Sequence, residues 1–259
     1  MLDADASHCD GGEVSPRYAL PSPHAALSLV LWSLDDGPCS PADLALLSPD
    51  ERERQGRFVF ERDRDRYAAG RIGLRRELGA YVGAPPDAMV FDYGPQGRPT
   101  LRGTPDVDFN LSHTGGIALL AILDGRTHRG RVGVDVESRR SRQGTLLSRS
   151  HLEDLAQVCF SPGERAALAR ATEPHDVFYR TWTRKEAVIK ALGDGISYGL
   201  ERFDVSDGPR AQVLRFDDPQ EVPSTWSLWD LSTALPEWAG DVAAAVAHKA
   251  LTTFNIVRK

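Results

Sequence analysis

Three short stretches carry residue types that can do chemistry at phosphate or metal. The first is V-G-V-D-V-E, Val132 to Glu137. Side chains alternate across a strand, so Asp135 and Glu137 share one face while Val134 and Val136 take the other. Two carboxylates on one face repel. Such a pair either meets water at a strand edge or forms half of an oxygen-only site for a hard divalent cation such as Mg²⁺.

The second stretch, W-T-R-K-E-A-V-I-K from Trp182 to Lys190, has helical spacing. Residues four apart stack, which puts Trp182, Glu186 and Lys190 on one stripe and lets Val188, Ile189 and Leu192 turn inward. A Glu–Lys pair at that spacing can be an ordinary surface ion pair worth about 0.2–0.5 kcal/mol. The composition argues for more. Only Lys185, Lys190, Lys249 and Lys259 are lysine among 31 basic residues, so two lysines in this helix depart from a strong arginine bias. A compact ammonium on a slim stem approaches a single phosphate oxygen as a point charge, where a guanidinium prefers forked contacts. Both lysines are therefore expected at phosphate.

The third stretch is F-N-L-S-H-T, Phe109 to Thr114, followed by Gly115 and Gly116. Ser112 and His113 can donate to phosphate oxygens, or the histidine can be a satisfied loop residue. Nucleophilic Ser–His catalysis is disfavoured, because adjacent residues rarely face each other and no G-x-S-x-G elbow is present. A tight loop, G-P-Q-G-R-P-T-L from Gly94 to Leu101, adds Arg98. Arg54, Arg57, Arg64 and Arg66 crowd the region before it, partly neutralised by Glu53, Asp63 and Asp65.

These residues need elements to position them. Ala26 to Leu34 reads as a buried strand, and Ser48-Pro49 opens a charged helix toward Arg57. A second helix is expected over Arg64 to Leu78, with Tyr67, Ile72, Leu74 and Leu78 facing inward. Phe109 to Leu123 reads as two strand segments around the Gly-Gly turn, and Val132 to Glu137 as a third. Leu146, Leu147, Leu152, Leu155 and Val158 have near-helical spacing, consistent with core.

An internal echo suggests duplication. Ser48-Pro49-Asp50-Glu51-Arg52 matches Ser161-Pro162-Gly163-Glu164-Arg165 at an offset of 113, and Glu77-Leu78 and Ala191-Leu192 close the following helices. The expected fold is α+β, with two similar α/β halves. The expected divisions are a disordered or loosely packed leader over 1–24, an N-terminal half over 25–127 and a C-terminal half over 128–259.

The 259 residues, 41% hydrophobic, suffice for an enzyme-sized core. A net charge of −6 argues against a general nucleic-acid binder, so an anionic ligand must meet a local basic patch. Cys9, Cys39 and Cys159 show neither a disulfide framework nor metal-ligand spacing. No apolar run approaches the length of a membrane span. A cytoplasmic, membrane-free protein is expected.

Together and in this order, G-P-Q-G-R-P-T-L, F-N-L-S-H-T, V-G-V-D-V-E and W-T-R-K-E-A-V-I-K-A-L-G resemble the motifs of the 4'-phosphopantetheinyl transferases of the surfactin-synthetase-activating type. The resemblance covers roughly Ser48 to Leu200. It implies halves related by a pseudo-twofold axis with the active site at their interface, and transfer of the phosphopantetheine arm of coenzyme A to a serine of an acyl or peptidyl carrier protein, leaving adenosine 3',5'-bisphosphate. By motif position it implies that Asp135, Glu137 and Glu186 hold Mg²⁺, and that Glu186 and Lys190 are catalytic. Glu186 is the candidate general base, with Glu137 or Glu164 as substitutes. Coenzyme A would meet Arg54, Arg66, Gly97, Arg98, Pro99, Ser112, His113, Asp135, Glu186 and Lys190. Glu51 departs from the pattern, standing where related proteins often carry a lysine for the 3'-phosphate. The expected state is a monomer, because two internal halves complete the site. A non-catalytic coenzyme A or carrier-binding protein on the same fold is the alternative, and a Mg²⁺-dependent phosphatase is a third reading.

Overall fold

A computed structural model describes residues 17–141, 143–193 and 195–250. Chain order in the N-terminal half is β1 (Arg17–Leu20), β2 (Leu27–Ser33), α1 (Pro41–Ala45), α2 (Pro49–Gly56), α3 (Glu61–Val82), β3 (Phe91–Tyr93), β4 (Pro99–Leu101), β5 (Val107–Thr114) and β6 (Ile117–Asp124). The C-terminal half has β7 (Gly130–Ser138), α4 (Arg149–Cys159), α5 (Pro162–Arg170), α6 (Pro174–Leu192), β8 (Phe203–Val205), β9 (Val213–Phe216), β10 (Trp226–Asp230) and β11 (Val242–Ala250).

Two antiparallel sheets carry the fold, ordered β1-β2-β6-β5 and β10-β11-β7, and the hairpins β3-β4 and β8-β9 stand beside them. Without β1, the strands β2, β6 and β5 answer to β7, β11 and β10, and each set encloses three helices and a hairpin in the same chain order. The two similar halves expected from the sequence are therefore present.

Burial explains the apolar runs. Leu27, Leu29, Leu31, Leu119, Ala121 and Leu123 from the first sheet meet Val132, Val134, Val136, Ala244 and Val246 from the second in one core between the sheets. The opposite faces pack against helices, with Trp32, Leu120 and Ile122 under α3 and Ala245 and Ala247 under α6. β6 is covered on both faces, which is why I-A-L-L-A-I-L lacks polar alternation.

Helix starts follow capping chemistry. Ser48 and Ser161 each cap a helix, and Glu51 and Glu164 each return a bond to the serine's backbone, giving two capping boxes 113 residues apart. α3 is longer than the spacing alone indicates, and Gly83 ends it in the left-handed conformation at φ 73°.

The expectation of a structureless leader through residue 24 does not hold for Arg17–Leu20. This segment pairs antiparallel with β2, buries Leu20 and joins Glu77 through Arg17 at 2.5 Å. Its short alternating pattern is weak as a sequence signal and is secured by a ready-made strand edge. Residues 1–16 lie outside the described residues.

Candidate active site between the halves

β7 and α6 pack closely enough to share polar groups. A Cβ at Gly133 would come within 2.1 Å of the Ala187 carbonyl oxygen, so the glycine of V-G-V-D-V-E lets helix and strand approach. Two residues further, Asp135 is 1% exposed beneath α6. Its Oδ1 accepts from Lys190 Nζ at 2.6 Å and from Ser112 Oγ at 2.9 Å. Lys190 Nζ also donates to Ser112 Oγ at 2.9 Å. Residues from both halves thus meet at one carboxylate.

Trp182, Glu186 and Lys190 form the expected stripe, half-buried, while Ala187, Val188 and Ile189 are fully buried. Glu186 and Glu137 flank Asp135. Burial first, and the Asp135 charge second, push the Glu137 carboxyl up to about 7 and raise Glu186 in the same direction. Lys190 opposes both shifts. Three carboxylates therefore share one ammonium, and Asp135 Oδ2 is buried with no hydrogen-bond partner among the described residues. An excess of buried negative charge with an orphaned oxygen suits an oxygen-loving divalent cation. Among the described residues, no group of three or more His, Cys, Asp or Glu side chains is gathered closely enough to hold a metal as it stands. The donor set fits such an ion, and its closure around one requires side-chain movement.

Other expected site residues divide. Arg98 is brought to the site as a clamp. One guanidinium nitrogen donates to the Lys190 carbonyl, and the other reaches Asp108 Oδ2 at 2.7 Å, the Val132 carbonyl at 2.8 Å and the Phe109 carbonyl at 3.2 Å. Arg131 Nη1 donates to the Leu192 carbonyl at 3.0 Å, so two cations hold the negative end of α6. The turn at Gly97, φ 78°, and the start of β4 at Pro99 deliver Arg98 to this place. Arg66 stands bidentate on Asp35, at 2.6 and 2.5 Å, against the Gly115–Gly116 turn. Arg54 lies over the Tyr67 ring at 5.8 Å. His113 is exposed at the rim, on the opposite face of β5 from Ser112. Surrounding protein and the Lys190 ammonium hold its imidazole below the ordinary value. Ser112 is buried among protein partners, so the structure gives it to Asp135 and Lys190.

Two expectations are corrected. Lys185 does not accompany Lys190: five residues along a helix changes the face, and Lys185 is fully buried with Nζ 2.7 Å from Glu164 and 2.5 Å from the Phe203 carbonyl. Glu164 is thereby excluded as a general base, since it is occupied by Lys185, the Val205 amide and its own capping box. Glu51, the departure from the family pattern, does in the N-terminal half what Glu164 does in the other. It is buried and accepts from Arg71 at 2.6 Å and Arg75 at 2.7 Å.

The sequence reading missed Asp108, Asn110 and Thr114 as partners of β7. Polar residues at every second position of V-D-F-N-L-S-H-T were the available signal. A separate cavity of about 550 Å³, lined by Arg210, Trp226, Trp229 and Asp230 among others, includes none of the carboxylates described above. Among the described residues no helix is long and apolar enough to cross a membrane.

Comparison with known proteins agrees with this layout. Residues 131–247 match the family model "4'-phosphopantetheinyl transferase superfamily", and residues 41–123 match "4'-phosphopantetheinyl transferase, N-terminal". The 4'-phosphopantetheinyl transferase HetI of Nostoc sp. is 36% identical over 209 residues, 78% of this chain and 81% of that protein. The 4'-phosphopantetheinyl transferase psf-1 of Bacillus pumilus is 30% identical over 190 residues, covering 73% and 76%. A 4'-phosphopantetheinyl transferase of Bacillus subtilis is 32% identical over 165 residues, covering 62% and 67%. With both family models in chain order and the site formed where their segments meet, the chain belongs to the 4'-phosphopantetheinyl transferase superfamily and is an enzyme of that kind.

Proposed function

We propose that this enzyme, of the surfactin-synthetase-activating type, moves the phosphopantetheine arm of coenzyme A onto a serine hydroxyl of an acyl or peptidyl carrier protein and releases adenosine 3',5'-bisphosphate. The carrying observation is Asp135: a buried carboxylate with one oxygen held by Lys190 and Ser112 and the other without a partner among the described residues, flanked by two carboxyls of raised pKa.

In this reading Asp135, Glu137 and Glu186 would hold Mg²⁺, which would supply Lewis-acid stabilisation of charge on the pyrophosphate oxygens. The chain's residues do the rest. Lys190, fixed by Asp135 and Ser112, presents a point charge to the phosphate on which negative charge builds. Glu186 takes the proton of the carrier serine as the serine oxygen bonds to phosphorus and the adenosine bisphosphate departs. Its place on the α6 stripe with Lys190, beside Asp135, is what supports that role. Glu137 is the second candidate base.

For the rest of coenzyme A, Arg54, Arg66 and His113 remain the proposed contacts, with Arg98 and Ser112 acting through Lys190 and Asp135. Arg66→Ala is expected to raise the KM for coenzyme A more than the KM for its 3'-dephospho form. The carrier is proposed to dock near α4, where Val158 and Leu146 are exposed while Leu152 is core. Arg149 pairs with Glu153 within α4 and donates to the Ala169 carbonyl of α5, so its reversal tests docking only in a variant that retains stability. We place the boundary between halves in the 125–129 link, and take the protein as a cytoplasmic monomer.

The test is intact-mass measurement of an apo carrier protein incubated with the enzyme, coenzyme A and Mg²⁺. A gain of one phosphopantetheine, lost with chelator and with a carrier Ser→Ala control, is the expected result. Coenzyme A binding without any mass gain across several carriers would replace transfer by a binding role. Glu186→Gln is expected to abolish transfer while coenzyme A still binds, and retained transfer would pass the base role to Glu137.

A further inference from the structure

β7 is an edge strand of its sheet, so half of its backbone N–H groups point away from β11. Buried donors of that kind must be satisfied. They are met by side chains of β5. Val132 N donates to Asp108 Oδ2 at 2.7 Å, Val134 N to Asn110 Oδ1 at 2.9 Å, Val136 N to Ser112 Oγ at 3.4 Å and Ser138 N to Thr114 Oγ1 at 3.1 Å. Each bond spans 24 residues. The seam between the halves is thus a ladder in which alternate side chains of one strand take the place of a neighbouring strand's carbonyls.

The ladder is interleaved with the site. Asp135 lies between the second and third rungs, and Glu137 between the third and fourth. Thr114 Oγ1 also donates to Glu137 Oε2 at 3.4 Å, so its hydroxyl grips a site carboxylate and the next amide together. A slip of β7 by one residue would turn Asp135 and Glu137 away from α6, because strand side chains alternate. Every rung resists that slip.

We propose that Asn110 and Thr114 are positioning residues of the transfer reaction: they fix the register and edge of β7 and thereby hold Asp135 and Glu137 in front of Lys190. The kinetic side of this inference rests on the site assignment above, while the structural side does not.

The experiment compares Thr114→Val with Thr114→Ser, and Asn110→Leu with Asn110→Asp, in the full chain. Valine and leucine preserve size without an acceptor, and serine and aspartate restore one. Amide hydrogen exchange on the free enzyme is expected to speed about tenfold at Ser138 in Thr114→Val and at Val134 in Asn110→Leu, each matching loss of one buried bond. Mn²⁺ binding, measured with the metal alone, is expected to weaken about tenfold or more in Thr114→Val, as for loss of a group that orients a ligand. In turnover kcat is expected to fall about tenfold or more with little change in the KM for coenzyme A, and Thr114→Ser and Asn110→Asp are expected to regain most of the loss.

Faster exchange with unchanged kcat and Mn²⁺ affinity would reduce the ladder to a structural seam and overturn the proposal. Slower turnover without altered exchange, or without recovery in Ser and Asp, would overturn it too. Should Asn110→Leu fail to fold, the Thr114 pair at the ladder's end decides alone. Absence of transfer in the unaltered enzyme would remove the site assignment and leave the exchange and Mn²⁺ arms standing.

Discussion

The two halves solve the same packing problem with different residues where a strand meets its long helix. By sheet register, Val30 and Trp32 of β2 occupy the places that Asp135 and Glu137 occupy in β7. In the N-terminal half these places are apolar and join the α3 core, and Gly73 of α3 lies so near that a Cβ would fall 2.5 Å from the Trp32 ring. In the C-terminal half they are carboxylates facing Lys190 and Glu186. One half closes its strand–helix seam dry; the other keeps it charged, accepting desolvation and repulsion that raise Glu137 and Glu186. The comparison locates chemistry where the common plan departs from good packing.

The buried glutamates are where the halves remain alike, and breaking them should have the largest effect. Lys185→Met leaves Glu164 charged and buried without its cation, for which about 3–5 kcal/mol of lost stability is expected. Arg71→Met should cost less, because Arg75 still faces Glu51. Chemical denaturation checks both. Equal losses would mean that the second arginine contributes nothing, and the equivalence of the two pairs would have to be redrawn.

Asp135→Asn should cost activity instead. It keeps the shape and weakens the hold on Lys190, and transfer is expected to fall by about 10²–10³-fold, as for loss of one preorganised charge at a reacting phosphate. Val30→Ala, its counterpart, should change stability and leave kcat within about twofold of the unaltered enzyme, since no charge there faces substrate. A kcat loss in Val30→Ala as large as that in Asp135→Asn would erase the division between a dry half and a working half.

Much of this division was legible in the sequence, and particular residues show why the rest was not. V-G-V-D-V-E announced a strand with two carboxylates on one face because period-two alternation is local information. The stripe of Trp182, Glu186 and Lys190 followed equally from helical spacing. Lys185 misled because rarity of lysine says nothing about direction: the same compact ammonium that suits a phosphate also suits a narrow core site beside Glu164 and Phe203. Arg98 was assigned to ligand because its loop resembles the family's, whereas it holds the Asp108 carboxylate and three carbonyls, of which those of Val132 and Lys190 come from segments far along the chain that no local pattern encodes. β1 escaped notice for a related reason, being four residues stabilised by the edge of β2.

A third test turns on the charge that β7 retains. Burial and the Asp135 charge push the Glu137 carboxyl up to about 7 in the folded protein, against an ordinary 4.5 when unfolded, so the folded state binds the proton more tightly. A carboxyl raised in this way costs stability above its unfolded pKa, fully so once the pH exceeds about 7. Glu137→Gln should therefore stabilise the chelator-treated enzyme by about 1–3 kcal/mol at pH 8, with the gain shrinking as pH falls from 7 toward 5. Melting temperature across that range reads it. Trp32→Ala, at the equivalent place, should lower stability at every pH. A pH-independent gain in Glu137→Gln would show that packing, rather than charge, was being relieved.

The smallest expected differences concern the two helix caps. Ser48→Ala and Ser161→Ala each remove a side-chain bond to the third helical amide, a loss usually near 1 kcal/mol. Their surroundings differ. Ser48 also donates to Asp50 Oδ1 at 2.6 Å in an exposed turn where water can replace it. Ser161 is 1% exposed, and the glutamate it orients must at once face Lys185 and the Val205 amide. Unsatisfied groups left there have no water to turn to. Ser161→Ala should accordingly cost about 2 kcal/mol and Ser48→Ala about 1 or less. If the order were reversed, the buried glutamate of the C-terminal half would be held by Lys185 and the Val205 amide without help from Ser161, and the capping box of α5 would be a relic of the shared plan rather than a support for Glu164.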